Sequence, residues 1–262
     1  MITINGLWYQ MDSFPDDTKK IVIPENVHDV DVCWRFDGDN ETLLLYYICS
    51  HLRANGHRLC RLKMPYVPNA RMDRVKSGNE VFTLKHFAAL INSLGFEHVV
   101  ILDPHSNVTP ALINNVTVLT PKSYIERAIE DINCEDLLIF YPDDGAMKRY
   151  SGMISKPYAF GVKNRDWQTG EIKSLSVVGD ADAVRGRSVL IVDDICSFGG
   201  TFMYSAEKLR ELGAEHIYLY VTHCENTMLR GKIPGCDMIE RIYTTDSLFS
   251  ETHEKVRVFE IE

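Results

Sequence analysis

Hydrophobic positions recur along the chain with two different spacings, and the way these alternate predicts an α/β protein. Between Glu41 and Ala54, the residues Leu44, Leu45, Ile48 and Leu52 fall three or four apart, which predicts an amphipathic helix ended by Gly56. The same spacing places Leu84, Phe87, Ala88 and Ile91 on one face of a helix over Thr83 to Leu94, closed by Gly95. Lys122 to Ile132, and Phe202 to Leu212 with Gly213 as its cap, predict two more. Between them lie short apolar runs: Arg61 to Tyr66, His98 to Leu102, Leu137 to Tyr141, Tyr158 to Val162, Val189 to Val192 and His216 to Val221. Without strict alternation, such runs read as strands buried on both faces. Lys20 to Ile23 and Val30 to Trp34 add two short strand candidates near the start. Strand, helix and strand in that order form βαβ units, with parallel pairing and right-handed crossovers. Two such sets follow one another, predicting two α/β halves, residues 1–120 and 121–262, with a site in the cleft where they meet.

The predicted strands end in polar or charged residues, which this topology delivers to one edge of a sheet. One ends in Asp103-Pro-His105, another in Pro142-Asp-Asp-Gly-Ala-Met-Lys-Arg149, another in Lys163-Asn-Arg165 and another in Thr222-His223. The richest stretch is Ser188 to Thr201, in which a buried strand runs into Asp193 and Asp194, then a small turn, two glycines and a threonine. Open α/β sheets bind ligands at the carboxyl ends of their strands, and glycines let main-chain N–H groups close around an anion at a helix N-terminus. The pattern suits a sugar phosphate. The acids would hold vicinal ribose hydroxyls or a hydrated metal ion, and Gly199, Gly200 and Thr201 would cradle the 5-phosphate. Cys196 lies in the same stretch, as either a thiol-sensitive residue or a small buried filler.

Composition narrows the setting. The chain has 262 residues, 45% hydrophobic and 25% charged, ordinary for a globular protein. A net charge of -9 argues against a general nucleic-acid binder. Seven cysteines with no paired spacing suggest reduced thiols, and no apolar run approaches the roughly 18 residues of a membrane span. Met1 to Tyr9 lacks a basic region followed by an apolar core, so the expected location is the cytoplasm, away from membranes.

Six stretches stand in a telling order: Pro65-Tyr-Val-Pro-Asn-Ala-Arg71-Met-Asp73-Arg, Asp103-Pro-His105, Tyr141-Pro-Asp143-Asp-Gly-Ala-Met-Lys148-Arg149, Lys163-Asn-Arg165, Val177-Val-Gly-Asp180 and the Asp193 to Thr201 motif. The chain resembles the ribose-phosphate pyrophosphokinases (phosphoribosyl pyrophosphate synthetases) over most of its length. The resemblance implies two phosphoribosyltransferase-type domains, each a mainly parallel sheet flanked by helices, with residues 1–120 on the ATP side and 121–262 on the ribose-phosphate side. It also implies magnesium-dependent transfer of the β,γ-diphosphoryl group of ATP to the anomeric hydroxyl of a ribose-5-phosphoryl acceptor, with release of AMP. Lys163 and Arg165 then look like a catalytic pair on a mobile loop, joined by His105. Phe14, Asp16, Arg71, Asp73 and His105 look like ATP contacts, His105 and Asp143 like magnesium contacts. Asp193, Asp194, Ser197, Phe198, Gly199, Gly200 and Thr201 look like the ribose-phosphate site. Phe14 and Asp16 resemble a hairpin that a neighbouring subunit supplies, implying a homodimer or larger homo-oligomer.

Departures from the family pattern bear on the acceptor. Ser197 stands where the phosphate loop usually has a third acid, and Phe198 where it has a threonine. Losing a hydroxyl weakens the hold on a terminal phosphate dianion, while a phenyl ring offers a stacking surface. That favours a 5-phosphate esterified onward, as in ADP-ribose, whereas main-chain N–H groups alone would still take ribose 5-phosphate. Met72 replaces a glutamine and Thr18 an acid, so adenine recognition is also expected to differ, and both termini are short for the family. Two rival readings use the same motifs: a phosphoribosyltransferase, and a non-catalytic regulatory relative of a synthetase.

Overall fold

The structure, a computed structural model, describes residues 1–23, 27–165, 172–178 and 181–261. The chain divides into two compact units, Met1–Thr120 and Pro121–Glu262.

In the first unit the elements run β1 (Ile2–Ile4), β2 (Gln10–Ser13), β3 (Lys19–Val22), β4 (Asp29–Trp34), α1 (Asn40–Ala54), β5 (Arg58–Met64), α2 (Thr83–Leu94), β6 (His98–Leu102), α3 (Val108–Leu112) and β7 (Val116–Leu119). The described strands form a sheet in the order β1-β4-β5-β6-β7, and β2 pairs with β3 in a separate hairpin. Only β1 runs antiparallel to its neighbour in that sheet; β4 to β7 pair in parallel. The apolar stripe of α1 (Leu44, Leu45, Ile48, Leu52) and that of α2 (Leu84, Phe87, Ala88, Ile91) are buried together with Val30, Val32, Leu62, Val99 and Ile101 of the sheet. Gly95 ends α2 at φ 78°, a left-handed conformation that favours glycine. Glu41 ties the start of α1 to the sheet: one carboxylate oxygen accepts from Trp34 Nε1 and from the Asp37 N–H, both at 2.9 Å.

The second unit continues with α4 (Lys122–Ile132), β8 (Leu138–Tyr141), α5 (Asp144–Tyr150), β9 (Tyr158–Arg165), β10 (Ile172–Val178), β11 (Ser188–Cys196), α6 (Gly200–Glu211), β12 (His216–Cys224), β13 (Arg241–Thr245) and β14 (Val256–Phe259), with single 3-10 turns at Ala181–Val184 and Asn226–Arg230. Strand order is β10-β9-β8-β11-β12-β13-β14, with parallel pairing except between β9 and β10. Successive residues of β11 enter opposite cores. Val189 and Ile191 pack with Phe202, Ala206 and Leu209 of α6. Leu190 and Val192 pack with Ile125 and Ala128 of α4 and with Ala146 and Tyr150 of α5. Both faces being covered, the strand shows no alternation.

Beyond the sheet centre, Asp131 near the end of α4 accepts from Tyr243 Oη at 2.9 Å and pairs with Arg241 at 3.3 Å and with Arg257. Burial pushes its carboxyl up, but these three donors outweigh it and hold it below the usual range. The guanidinium carbons of Arg127 and Arg257 lie 4.4 and 5.9 Å from the centroid of Phe259, whose ring stacks on Tyr243.

Several expectations need correction. The polar stretch after Pro142, assigned to no element from the sequence, forms the short helix α5. Lys163, Asn164 and Arg165, expected on a loop, continue β9, their backbone pairing with β10 (Lys163 opposite Leu175, Arg165 opposite Ile172). The alternating Leu175, Val177 pattern supplies that partner strand. The strand expected over Arg61 to Tyr66 instead covers Arg58–Met64, and α6 begins two residues early, at Gly200. Asp193 and Asp194 lie within β11, which runs on to Cys196. Asp180 of the Val177 to Asp180 stretch lies outside the described residues. Among the described residues no helix is long and apolar enough to cross a membrane.

Candidate functional site

In the second unit the polar residues gather at the carboxyl ends of the parallel strands. Past β8, Asp143 caps α5 by accepting the Ala146 N–H at 3.1 Å. Asp194 is buried and pairs with Arg149, from the last turn of α5, at 3.1 Å. Asp193 is half-buried and accepts its neighbour's N–H at 2.9 Å. Burial first, then the charges of Asp194 and Asp143, push the Asp193 carboxyl well above the usual carboxylate range. A group of hard oxygen donors with unfavourable mutual charge is suited to a cation, to donating hydroxyls, or to both.

After β11 the chain makes the phosphate loop. Gly199 caps α6 at φ 78°, and a Cβ there would stand 2.2 Å from Ile233 Cδ1. A Cβ on Gly231 would stand 2.2 Å from the carbonyl oxygen of Phe198. The loop is therefore pressed against the turn after β12; the backbone contact requires glycine at 231, and the left-handed φ favours it at 199. Gly200 is exposed, with nothing near its Cβ direction, and Thr201 is half-buried one residue into the helix. Ser197 is half-buried, while the Phe198 ring is 61% exposed. Cys196 is fully buried; a hydrogen bond with Cys224, then burial, raise its thiol well above the ordinary value, so it fills space as an uncharged group.

In the first unit, Asp103 closes β6 in a left-handed conformation (φ 42°), its N–H donating to Leu119 O at 3.0 Å, and half-buried His105 follows in the turn before α3. Arg71 is exposed and Asp73 half-buried on the turn after β5, where Asn69 takes φ 64° and accepts the Met72 N–H at 2.9 Å. Phe14 and Asp16 occupy the tip of the β2–β3 hairpin, and Phe14 is 53% exposed. The Thr18 hydroxyl donates to Asp16 Oδ1 at 2.7 Å and, with the Thr18 N–H, lowers the Asp16 pKa. Thr18, standing where the family pattern has an acid, thus favours the charged form of the tip carboxylate.

Each unit therefore collects its own residues: Arg71, Asp73 and His105 at strand ends of the first, Asp143, Asp193, Asp194 and the loop 197–201 at strand ends of the second. Among the described residues no three His, Cys, Asp or Glu side chains cluster as a complete metal cage. Magnesium is commonly held by one or two carboxylates together with substrate phosphates and water, so the Asp143 and Asp193 environment fits it. The sequence reading left Arg149 without a role, although it stands in a quoted motif, and missed Gly231 and Ile233, whose signal is only a glycine in a polar turn.

A mainly parallel sheet whose central strand carries two acids before a glycine-rich helix start defines an α/β protein of the phosphoribosyltransferase type, and residues 148–241 match the phosphoribosyl transferase domain family. A ribose-phosphate pyrophosphokinase of Thermococcus kodakarensis is 32% identical over 218 residues, covering 80% of this chain and 75% of that protein. One from Saccharolobus solfataricus is 27% identical over 220 residues, covering 80% and 74%. The fold matches the crystal structure of phosphoribosylpyrophosphate synthetase from Mycobacterium smegmatis with a TM-score of 0.78 at 21% identity, covering 97% of this chain and 86% of that one. The chain belongs to the ribose-phosphate pyrophosphokinase family, and is an enzyme of the diphosphokinase type.

Proposed function

We propose that the protein transfers the β,γ-diphosphoryl group of ATP to the anomeric hydroxyl of a ribose whose 5-phosphate is esterified onward, with ADP-ribose as the acceptor and AMP as the second product. In this reading Asp193 and Asp194 accept from the ribose diol, and main-chain N–H groups of residues 197–201 with the N-terminus of α6 take the 5-phosphoryl group. Fixing the ribose at both ends leaves its C1 oxygen to attack the β-phosphorus. Negative charge then develops on the phosphoryl oxygens and on the leaving AMP, so the protein's part is positioning and cationic stabilisation, assigned to Arg71, His105, Lys163 and Arg165. Asp143 of the second unit, with Asp193, and separately His105 of the first are the residues that would hold magnesium, whose chemistry would be to neutralise the triphosphate. Asp73, and Phe14 and Asp16 of a second copy, complete the ATP contacts, which makes a homo-oligomer the working form.

The observation that carries the choice of acceptor is the Phe198 ring, 61% exposed in the loop that grips the 5-phosphoryl group. An exposed phenyl face beside a phosphate site has little use for a bare phosphate dianion, and suits an adenine carried beyond it. With ribose 5-phosphate the loop would bind through N–H groups alone.

The test is to incubate the protein with ATP, Mg²⁺ and either ADP-ribose or ribose 5-phosphate, and to measure AMP and product mass. ADP-ribose gaining the mass of a diphosphoryl group supports the reading. AMP formed only with ribose 5-phosphate replaces the acceptor, and no AMP with either leaves a phosphoribosyltransferase or a regulatory relative. Phe198→Thr should shift the ratio of kcat/KM values about two- to tenfold toward ribose 5-phosphate, the scale of a lost stacking contact of about 0.5–1.5 kcal/mol; an unaltered ratio would remove the ADP-ribose argument.

A further inference from the structure

We propose that Arg149 is a positioning residue for the acceptor: by pairing with Asp194 it holds that carboxylate oriented to receive a ribose hydroxyl. The proposal rests on the reading above that Asp194 meets the acceptor diol. Arg149 Nη1 lies 3.1 Å from Asp194 Oδ2, with side chains 24% and 6% exposed. A carboxylate buried that deeply has lost its water, and a guanidinium at hydrogen-bond distance takes that place and fixes the direction of its oxygens. The guanidinium is in turn supported from behind. Its central carbon sits 5.6 Å from the Tyr150 ring centroid, and Tyr150 stacks on Tyr141 at 6.4 Å and 24°. Both tyrosines are fully buried, so the arginine is backed by a rigid wall.

The arrangement also solves a problem of charge. Asp143, at the start of α5, and Asp193, next to Asp194 in β11, add two more acids to the same strand ends. The short helix α5 supplies an acid at its first turn and, at its last, the cation that meets Asp194. Without Arg149 the Asp194 carboxylate would lose the guanidinium that fixes its direction, and the acceptor's hydrogen bond to it would weaken while the residues assigned to ATP would be untouched.

Acceptor affinity is to be measured by calorimetry with ADP-ribose and with ribose 5-phosphate, and the KM for ATP by AMP release, for wild type, Arg149→Met, Arg149→Lys, Asp194→Asn and the Met/Asn double variant. Arg149→Met should weaken the acceptor by about tenfold or more, the scale of a lost hydrogen bond to a charged group, with the KM for ATP altered less than about twofold. Arg149→Lys should recover part of the loss by restoring the charge without the planar fork. The double variant should bind the acceptor no more weakly than Asp194→Asn alone, because the arginine acts through that carboxylate. If Arg149→Met fails to fold by circular dichroism, Arg149→Gln takes its place with the same expectations. Unchanged acceptor affinity, equal losses for ATP and acceptor, or additive losses in the double variant would each overturn the proposal. A wild type that binds neither acceptor overturns the underlying functional reading and the proposal with it.

Discussion

Asp193 sits half-buried at the carboxyl end of β11, with Asp194 beside it, and burial together with the charges of Asp194 and Asp143 keeps its proton on to higher pH than an ordinary aspartate. The consequence for stability has a definite sign. Below the unfolded-state pKa both states are protonated and the group is neutral in its effect. As pH rises through that value toward the raised native one, the unfolded chain gives up the proton first, so stability falls, and it stays lowered above the native pKa. Asp193→Asn should therefore melt at a higher temperature than wild type near pH 7, with the difference vanishing in acid, while turnover drops by about a hundredfold or more, the scale of a lost electrostatic contact to the reacting substrate. Melting curves across pH, alongside AMP release, check both halves. A variant that melts lower at neutral pH would show that the carboxylate is well accommodated as it stands.

At the scale of elements, the loop between β11 and α6 depends on the turn after β12. Gly231→Ala would put a Cβ 2.2 Å from the Phe198 carbonyl oxygen, and backbone cannot yield as a flexible side chain can. A loss of about 1–3 kcal/mol, typical of overpacking, is expected in urea unfolding, with weaker acceptor binding from the displaced loop. Unchanged unfolding and binding would mean that the two turns move apart without cost. This support was not legible in the sequence, since a contact between residues 198 and 231 leaves no periodic mark. What was legible follows from one-sided burial: α2 and β6 lie over the predicted Thr83–Leu94 and His98–Leu102 because apolar spacing and a capping glycine marked their limits. Helix α5 escaped because its seven residues are too few to display a period. Strands β7, β13 and β14 escaped as well, being four or five residues long with mixed polar sequence. In the candidate site, the acids and glycines were readable from chemistry and order. The pairing of Arg149 with Asp194 was not, because residues 45 positions apart on a helix and a strand meet only in three dimensions.

For the whole molecule, the division at Thr120 separates two sets of buried residues, one around α1 and α2 and the other on both faces of β11. Because the second unit has a covered sheet of its own, residues 121–262 expressed alone should unfold cooperatively. On the reading given above it should bind the acceptor within about tenfold of the full chain, that is within about 1.4 kcal/mol, yet release no AMP from ATP. Circular dichroism melts and calorimetry test this, and a fragment without a cooperative transition would show that the core of the second unit depends on the first.

The far margin of that second sheet has a further consequence. Strand β14 carries Arg257, and with Arg127 of α4 two guanidinium groups flank the Phe259 ring, while Asp131 binds both outer strands to the helix behind them. An unfastened outer strand invites recruitment of stray chains and eventual clumping; fixed positive charge on the rim discourages a newcomer from zipping alongside. The same side chains that hold the border strand in place thus also put charged groups where a further strand would have to pair.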